Sequence, residues 1–326
     1  MQKRAVSVLA AIATLALVLY AAGCGGNAEE SPLSETSPAA TSTAPATATT
    51  SALPTQTPTT STPATSPATI SSTTASIVTI TWTPPSGPVT LTVDEAANRA
   101  TYKSGTADIS GYFYKPPGNG PFPAVVVLHG RAGLAASQRD YAVWLAQQGY
   151  IAFAPDYFTP IGMPAATWAG TDYGKYQDRI RTDLGVAVEA LKSLPAVAAS
   201  CIGVAGFSLG GYFAFWLGTR DDVRAVVSYY GAYAPTVVAT YGIKDIVAQM
   251  KSAVLMFHGD KDEMVPIEQA NAVYEMVKSA PVPWSRYTVY TGATHGFGPQ
   301  YTTGPNATAN TDSQQQVIEF LKAQLR

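Results

Sequence analysis

A serine, an aspartate and a histidine able to share one proton relay occur in the order Ser208, Asp262, His295, separated by 54 and 33 residues. Ser208 is the centre of Gly206-Phe207-Ser208-Leu209-Gly210, between the apolar run Cys201–Ala205 and the aromatic run Tyr212–Trp216. A turn that needed only polarity could use Asn or Asp. Glycines on both sides of a serine instead let a tight elbow lift one hydroxyl above the end of a strand. A serine hydroxyl is a poor nucleophile at neutral pH, so a neighbouring base must take its proton and a third group must orient that base. The chemistry this pattern predicts is acyl transfer from a carbonyl substrate to Ser208, followed by release of the acid by water.

Three histidines compete for the role of base. His129 in VLHGRAG and His258 in MFHGDKD each end a strand-like run and precede a glycine, which suits a structural role in the turn. His295 lies in the Gly-rich stretch TGATHGFG after the last strand-like run, where a loop can swing an imidazole over a sheet. For the acid, Asp260 and Asp262 both occur in HGDKDEMVP. Asp262, in the turn before a helix, is the better candidate; Asp260 is its competitor, and helix capping is its alternative role. An oxyanion needs donors, and the backbone N–H groups of Leu209, at the start of a helix, and of Arg131, after His129-Gly130, are the candidates.

The elements that must hold these residues are read from hydrophobic periodicity. Val78, Ile80 and Trp82, then Val89, Leu91 and Val93, then Ile109 and Tyr114 alternate as strands with one buried face. Ala124–Leu128 is continuously apolar, as a strand covered on both faces requires. Helical spacing in Tyr141, Trp144 and Leu145 precedes a strand at Ile151–Ala154 and a helix carrying Ile180, Leu184, Val188 and Leu191. Strands at Ile202–Ala205, Ala225–Tyr229, Ala253–Phe257 and Tyr287–Tyr290 then alternate with helices at Leu209–Leu217, Ile243–Met250 and Ile267–Val277, and a terminal helix carries Val317, Phe320, Leu321 and Leu325. This predicts an α/β fold with a mostly parallel central sheet covered by helices on both faces. Ligands in such sheets sit beyond the carboxyl ends of the strands, the edge where Ser208, His129, Asp262 and His295 all fall.

Within that architecture, a strand-to-helix Gly-x-Ser-x-Gly followed by acid and then histidine is the arrangement expected of an α/β-hydrolase. GFSLGG, HGDKDEMVP, THGF, QQGYIAFAPDYF and VVSYYG together resemble the dienelactone hydrolase family, from about Tyr102 to Leu325. The resemblance implies a single α/β-hydrolase domain with no metal or organic cofactor, and its nucleophile, acid and base positions match Ser208, Asp262 and His295. It also marks departures. The namesake enzymes carry Cys at the nucleophile, a Glu where this chain has Gly130, and a substrate-binding Arg at about Pro160. Tyr157, Trp168 and Phe207 are candidate walls of a substrate pocket, and Thr159–Gly174 is either a lid or an ordinary surface loop.

The amino terminus predicts export. Lys3 and Arg4 precede an apolar run, Ala5–Ala22, that ends in Ala21-Ala22-Gly23-Cys24, a lipobox-like site for lipidation of Cys24; an uncleaved signal anchor is the alternative. Residues 25–75 are Ser, Thr, Pro and Ala with few large apolar side chains, too little to offset ordering entropy, and read as a tether. Extended at ~3.1 Å per residue, it would hold the domain, residues 76–326, on the order of 100 Å from a membrane. No Lys or Arg lies between Arg4 and Arg99 and the net charge is −2, so no nucleic-acid partner is expected. The expected substrate is a small ester or lactone, with the membrane reached only through the lipid and no protein partner. The competing functions are a peptidase of the same superfamily and a non-catalytic binding lipoprotein on the same scaffold.

Overall fold

The computed structural model describes residues 79–162, 170–233, 242–298 and 300–325, all within one compact unit. Cys24, the leader, the tether, Val78, Trp168 and the central part of the Thr159–Gly174 segment lie outside the described residues.

Two-sided burial explains the continuous apolar strands. In β4 (Phe122–Leu128), Ala124, Val126 and Leu128 pack into one core, while Val125 and Val127 pack into another on the opposite face. The first core is closed by α2 (Gly170–Lys192), α3 (Leu209–Leu217), α4 (Ile243–Ala248) and α5 (Ile267–Ser279), the second by α1 (Ala136–Gln147) and α6 (Gly304–Gln324). Every residue of α3 is buried, which accounts for a helix apolar on all sides.

Among the described residues the sheet has nine strands. Besides β4 these are β1 (Thr92–Asp94), β2 (Arg99–Ser104), β3 (Ala107–Tyr114), β5 (Ile151–Pro155), β6 (Val197–Phe207), β7 (Val223–Tyr229), β8 (Ala253–Gly259) and β9 (Ser285–Tyr290). Their order is β1-β2-β3-β5-β4-β6-β7-β8-β9. The pairs from β5 to β9 are parallel, and β1, β2 and β3 add an antiparallel wing. The expected α/β fold is the one observed.

The wing differs from the periodicity reading. Residues 79–91 form no strand, so the alternation of Ile80, Trp82 and Val89 has another cause: these side chains anchor a loop against the core. The Trp82 indole meets Trp216 edge-on at 6.2 Å and lies 4.7 Å from the Arg220 guanidinium, while the Ile80 N–H donates to Gln249 Oε1. In contrast, β2 escapes the periodicity because its inward positions are Ala100, Tyr102 and Ser104, of which one alone is large.

Candidate active site

Ser208 sits between β6 and α3 with φ 54° and ψ −115°, a backbone conformation that costs a non-glycine residue about 1–3 kcal/mol. The surroundings over-determine it. Its N–H donates to the Tyr229 carbonyl, and its own carbonyl accepts from the N–H groups of Gly211 and Ala232. The flanking glycines are required by close approach: a Cβ on Gly206 would meet the Gly210 carbonyl oxygen at 2.1 Å, and one on Gly210 would meet that of Leu128 at 2.4 Å.

His295 reaches the elbow from the loop after β9, with Nε2 3.1 Å from Ser208 Oγ and Nδ1 2.7 Å from Asp262 Oδ2. With the Nδ1 proton donated to the carboxylate, the Nε2 lone pair faces the serine hydroxyl, as a general base requires. Asp262 is 7% exposed, in the turn between β8 and α5, and its Oδ1 accepts from the backbone N–H groups of Met264 and Val265. Burial pushes this carboxyl up, but hydrogen bonds from His258, His295 and the Val265 backbone outweigh it and hold the group well below the usual carboxylate range. Asp262 therefore faces the base ionised. Asp260 is elsewhere: its Oδ1 accepts the Gly292 N–H and ties the β9 turn to the end of β8.

The other two histidines are both buried and do not reach Ser208. His258 Nε2 donates to the Val265 carbonyl at 2.8 Å and lies 3.2 Å from Asp262 Oδ2, so it braces the acid turn from behind. His129 stacks on Tyr157 at 3.8 Å and directs Nδ1 to the Gly130 carbonyl. Tyr157 is a correction to the sequence reading. It is fully buried, its hydroxyl donates to the His129 carbonyl, and it supports the loop carrying Gly130 and Arg131 instead of walling a pocket. A Cβ on Gly130 would lie 3.2 Å from Ser208 Cβ, so this loop and the elbow are side by side. Leu209 opens α3, where its N–H belongs to the first turn that lacks intrahelical partners. The Arg131 residue is exposed.

His129 carries a measurable consequence. Burial pushes its imidazole down to about 4, and its Nε2 has no hydrogen-bond partner among the described residues. Protonation would bury a second N–H without an acceptor. Because the unfolded chain binds that proton near pH 6.5, stability is fully present above that pH and is lost as pH falls towards 4, by about 3 kcal/mol. Urea midpoints at pH 7 and pH 4.5 should therefore fall further apart in the native protein than in His129→Phe; equal spacing would refute the assignment.

A pocket opens beside the Ser208–His295 pair, with a cavity of about 430 Å³. Phe207, expected as a wall, lines it together with Tyr229, Tyr230, Trp144 and Phe297. Tyr230 is held at φ 38° with its N–H on the Phe257 carbonyl, and its ring meets that of His295 at 4.8 Å. Of these residues sequence reasoning found only Phe207; VVSYYG and THGF contain Tyr229, Tyr230 and Phe297 and were the available signal.

A parallel sheet with a strained serine elbow at its centre, and a histidine and acid arriving from the next strands, defines an α/β-hydrolase. The sequence pattern of the dienelactone hydrolase family matches residues 109–325, and the chain belongs to that family, hence to the carboxylic ester hydrolases. It is 26% identical over 247 residues to the carboxymethylenebutenolidase of Rhodococcus opacus, covering 70% of this chain and 96% of the relative. Identity to the carboxymethylenebutenolidase of Pseudomonas putida is 24%, covering 63% and 87%. Among solved structures, a dienelactone hydrolase-like promiscuous phosphotriesterase from metagenomic libraries superimposes with a TM-score of 0.59 at 25% identity, covering 74% of this chain and all of the other.

Proposed function

We propose that this chain is a lipid-anchored serine hydrolase of carboxylic esters or lactones, working outside the cytoplasm through an acyl-enzyme. The observation that carries the reading is the continuous chain from Ser208 Oγ to His295 Nε2 and from His295 Nδ1 to Asp262 Oδ2. His295 takes the serine proton as Oγ attacks the carbonyl carbon, then returns it to the leaving alcohol; water repeats the sequence and frees the acid. Asp262 holds the tautomer and stabilises the imidazolium. The Leu209 and Arg131 N–H groups are the proposed donors to the oxyanion, each worth about 3 kcal/mol to the transition state. Serine in place of the namesake's cysteine fits this relay, because a hydroxyl depends on the base more than a thiol does.

The test is hydrolysis of a chromogenic acetyl ester by the full-length protein, together with mass-spectrometric mapping of a fluorophosphonate adduct. Turnover with the label on Ser208 is expected. Turnover with the label elsewhere would discard the assignment.

Lys3, Arg4 and the lipobox-like Cys24 support export and lipidation. Cys24→Ala is expected to move the protein from the membrane fraction to a soluble exported or unprocessed form, since acyl chains on that thiol would supply the attachment. Membrane retention with an intact amino terminus would favour a signal anchor instead.

A further inference from the structure

The pocket beside Ser208 is more specific than the family resemblance requires. Its long wall is six aromatic rings: Tyr141, Trp144, Phe207, Tyr229, Tyr230 and Phe297. They are fixed by one another. Phe207 stacks on Tyr229 at 4.8 Å, Tyr141 meets Phe207 edge-on at 4.9 Å, and Phe297 meets Tyr230 edge-on at 5.0 Å. Two hydroxyls, those of Tyr141 and Tyr229, are 3.3 Å apart and satisfy each other. Burial pushes the Tyr229 hydroxyl up to about 12, so it contributes no charge.

The remaining lining is Ser137, Asp140, Gln300, Asn310 and Gln314 with two glycines. Asp140 is the one acidic side chain in that set, and the Arg139 guanidinium lies 2.8 Å from it, with both side chains about half exposed. Among the described residues, none that lines the cavity offers a cation to a carboxylate. Near the position where the resemblance places the namesake's arginine, this chain has Pro160, in the 3-10 turn Thr159–Ile161, and the Arg131 residue is exposed and does not line the cavity. A substrate carboxylate entering here would be desolvated against aromatic faces with no partner. A quaternary ammonium would find faces suited to it, but the anion in this lining is already paired with Arg139.

We propose that this enzyme seats an uncharged aromatic ring of its ester substrate in the pocket walled by Tyr141, Trp144, Phe207, Tyr229, Tyr230 and Phe297, and so differs in substrate class from hydrolases of carboxylate-bearing lactones. The proposal rests on Ser208 as nucleophile. Ser208 and His295 do not themselves line the cavity, but their chain neighbours do: Phe207 immediately precedes Ser208, Gly296 and Phe297 immediately follow His295, and the Tyr230 ring meets the His295 ring, so the cavity adjoins the reacting pair. A volume of about 430 Å³ exceeds what an acetyl or methyl group fills and falls in the usual range of small-molecule sites.

The experiment measures kcat/KM of the full-length protein on benzyl acetate, butyl acetate, 4-carboxybenzyl acetate and 4-(trimethylammonio)benzyl acetate, with methyl 3-phenylpropanoate and methyl hexanoate to test the acyl side. On the alcohol or the acyl side, the neutral aromatic ester should exceed its aliphatic counterpart by about 10-fold, the size of effect that one or two well-placed ring contacts give. The carboxylate should lower turnover by at least about 30-fold relative to benzyl acetate, an uncompensated desolvation. The ammonium should give no gain. Trp144→Ala should shrink the aromatic-to-aliphatic ratio, while Ser208 remains the fluorophosphonate-labelled residue. Equal rates on aromatic and aliphatic esters on both sides, or a preference for either charged ester, would overturn the proposal while labelling of Ser208 left the nucleophile standing. Absence of labelling at Ser208 would remove both.

Discussion

Ser208→Ala is expected to lower ester turnover by about 10⁴- to 10⁶-fold, because in the proposed triad nucleophile, base and acid act as a unit and removing the first would leave only binding and the proposed oxyanion donors. The fold should not change. Ser208 Oγ is hydrogen-bonded to His295, whereas the elbow itself is held by backbone bonds to Tyr229, Gly211 and Ala232 that alanine keeps. Alanine at φ 54° carries the same backbone strain as serine, so the unfolding free energy should stay within about 0.5 kcal/mol of native. Single-turnover release of a chromophore from an activated ester, compared with circular dichroism of the same preparation, measures both. A variant that folds and retains more than a few per cent of native turnover would show that the hydroxyl is not the nucleophile.

Asp262→Asn should cost about 10⁴-fold in kcat for a different reason. The carboxylate accepts from His295 Nδ1 on Oδ2 and from the Met264 and Val265 N–H groups on Oδ1, with His258 Nε2 a further 3.2 Å from Oδ2. A carboxamide that keeps its oxygen on the Met264 and Val265 N–H groups must present NH₂ to His295, which stabilises the tautomer protonated on Nε2 and leaves no lone pair facing Ser208. Stability should respond to pH as well. The native carboxyl, held below its ordinary range, contributes stability that is present above about pH 4 and is lost as pH falls further, through the folded value. The carboxamide cannot titrate, so the variant's stability should be lower at pH 7 and flatter in the acid range. Full activity in Asp262→Asn would return the acid's role to Asp260.

That Ser208 and His295, the proposed nucleophile and base, lie together was legible in the sequence because each is tied to a local pattern. Gly206 and Gly210 announce an elbow, and His295 alone among the histidines lies in a loop after the last strand. Asp260 and Asp262 could not be separated by spacing, since two positions in one turn differ in direction, which depends on how β8 hands over to α5. The second contact of Asp262, with His258, was missed for the same reason: His258 reads as a strand-end residue, and only the curl of Met264 and Val265 over the carboxylate brings its ring alongside. The pocket was least legible. Tyr141 and Trp144 come from α1, Tyr229 and Tyr230 from the end of β7 and Phe297 from beyond β9, and each fits an ordinary amphipathic or core pattern taken alone. Tyr157 misled because an aromatic after a strand end suits a pocket wall as well as a buttress, and the bond from its hydroxyl to His129 decides between them.

The order of the strands has one more consequence. Ser208 springs from β6, with β4 on one side and β7 on the other, but His295 is carried by the loop after β9, which among the described residues pairs with β8 alone and exposes Val289. Margins of a sheet fray at a lower free energy than its centre. Detachment of β9 would withdraw the imidazole while the serine elbow stayed intact, leaving a folded, dormant hydrolase that regains activity when the margin re-zips. On warming, catalysis would then fade before the domain melts, and cooling would restore it without passage through the denatured chain.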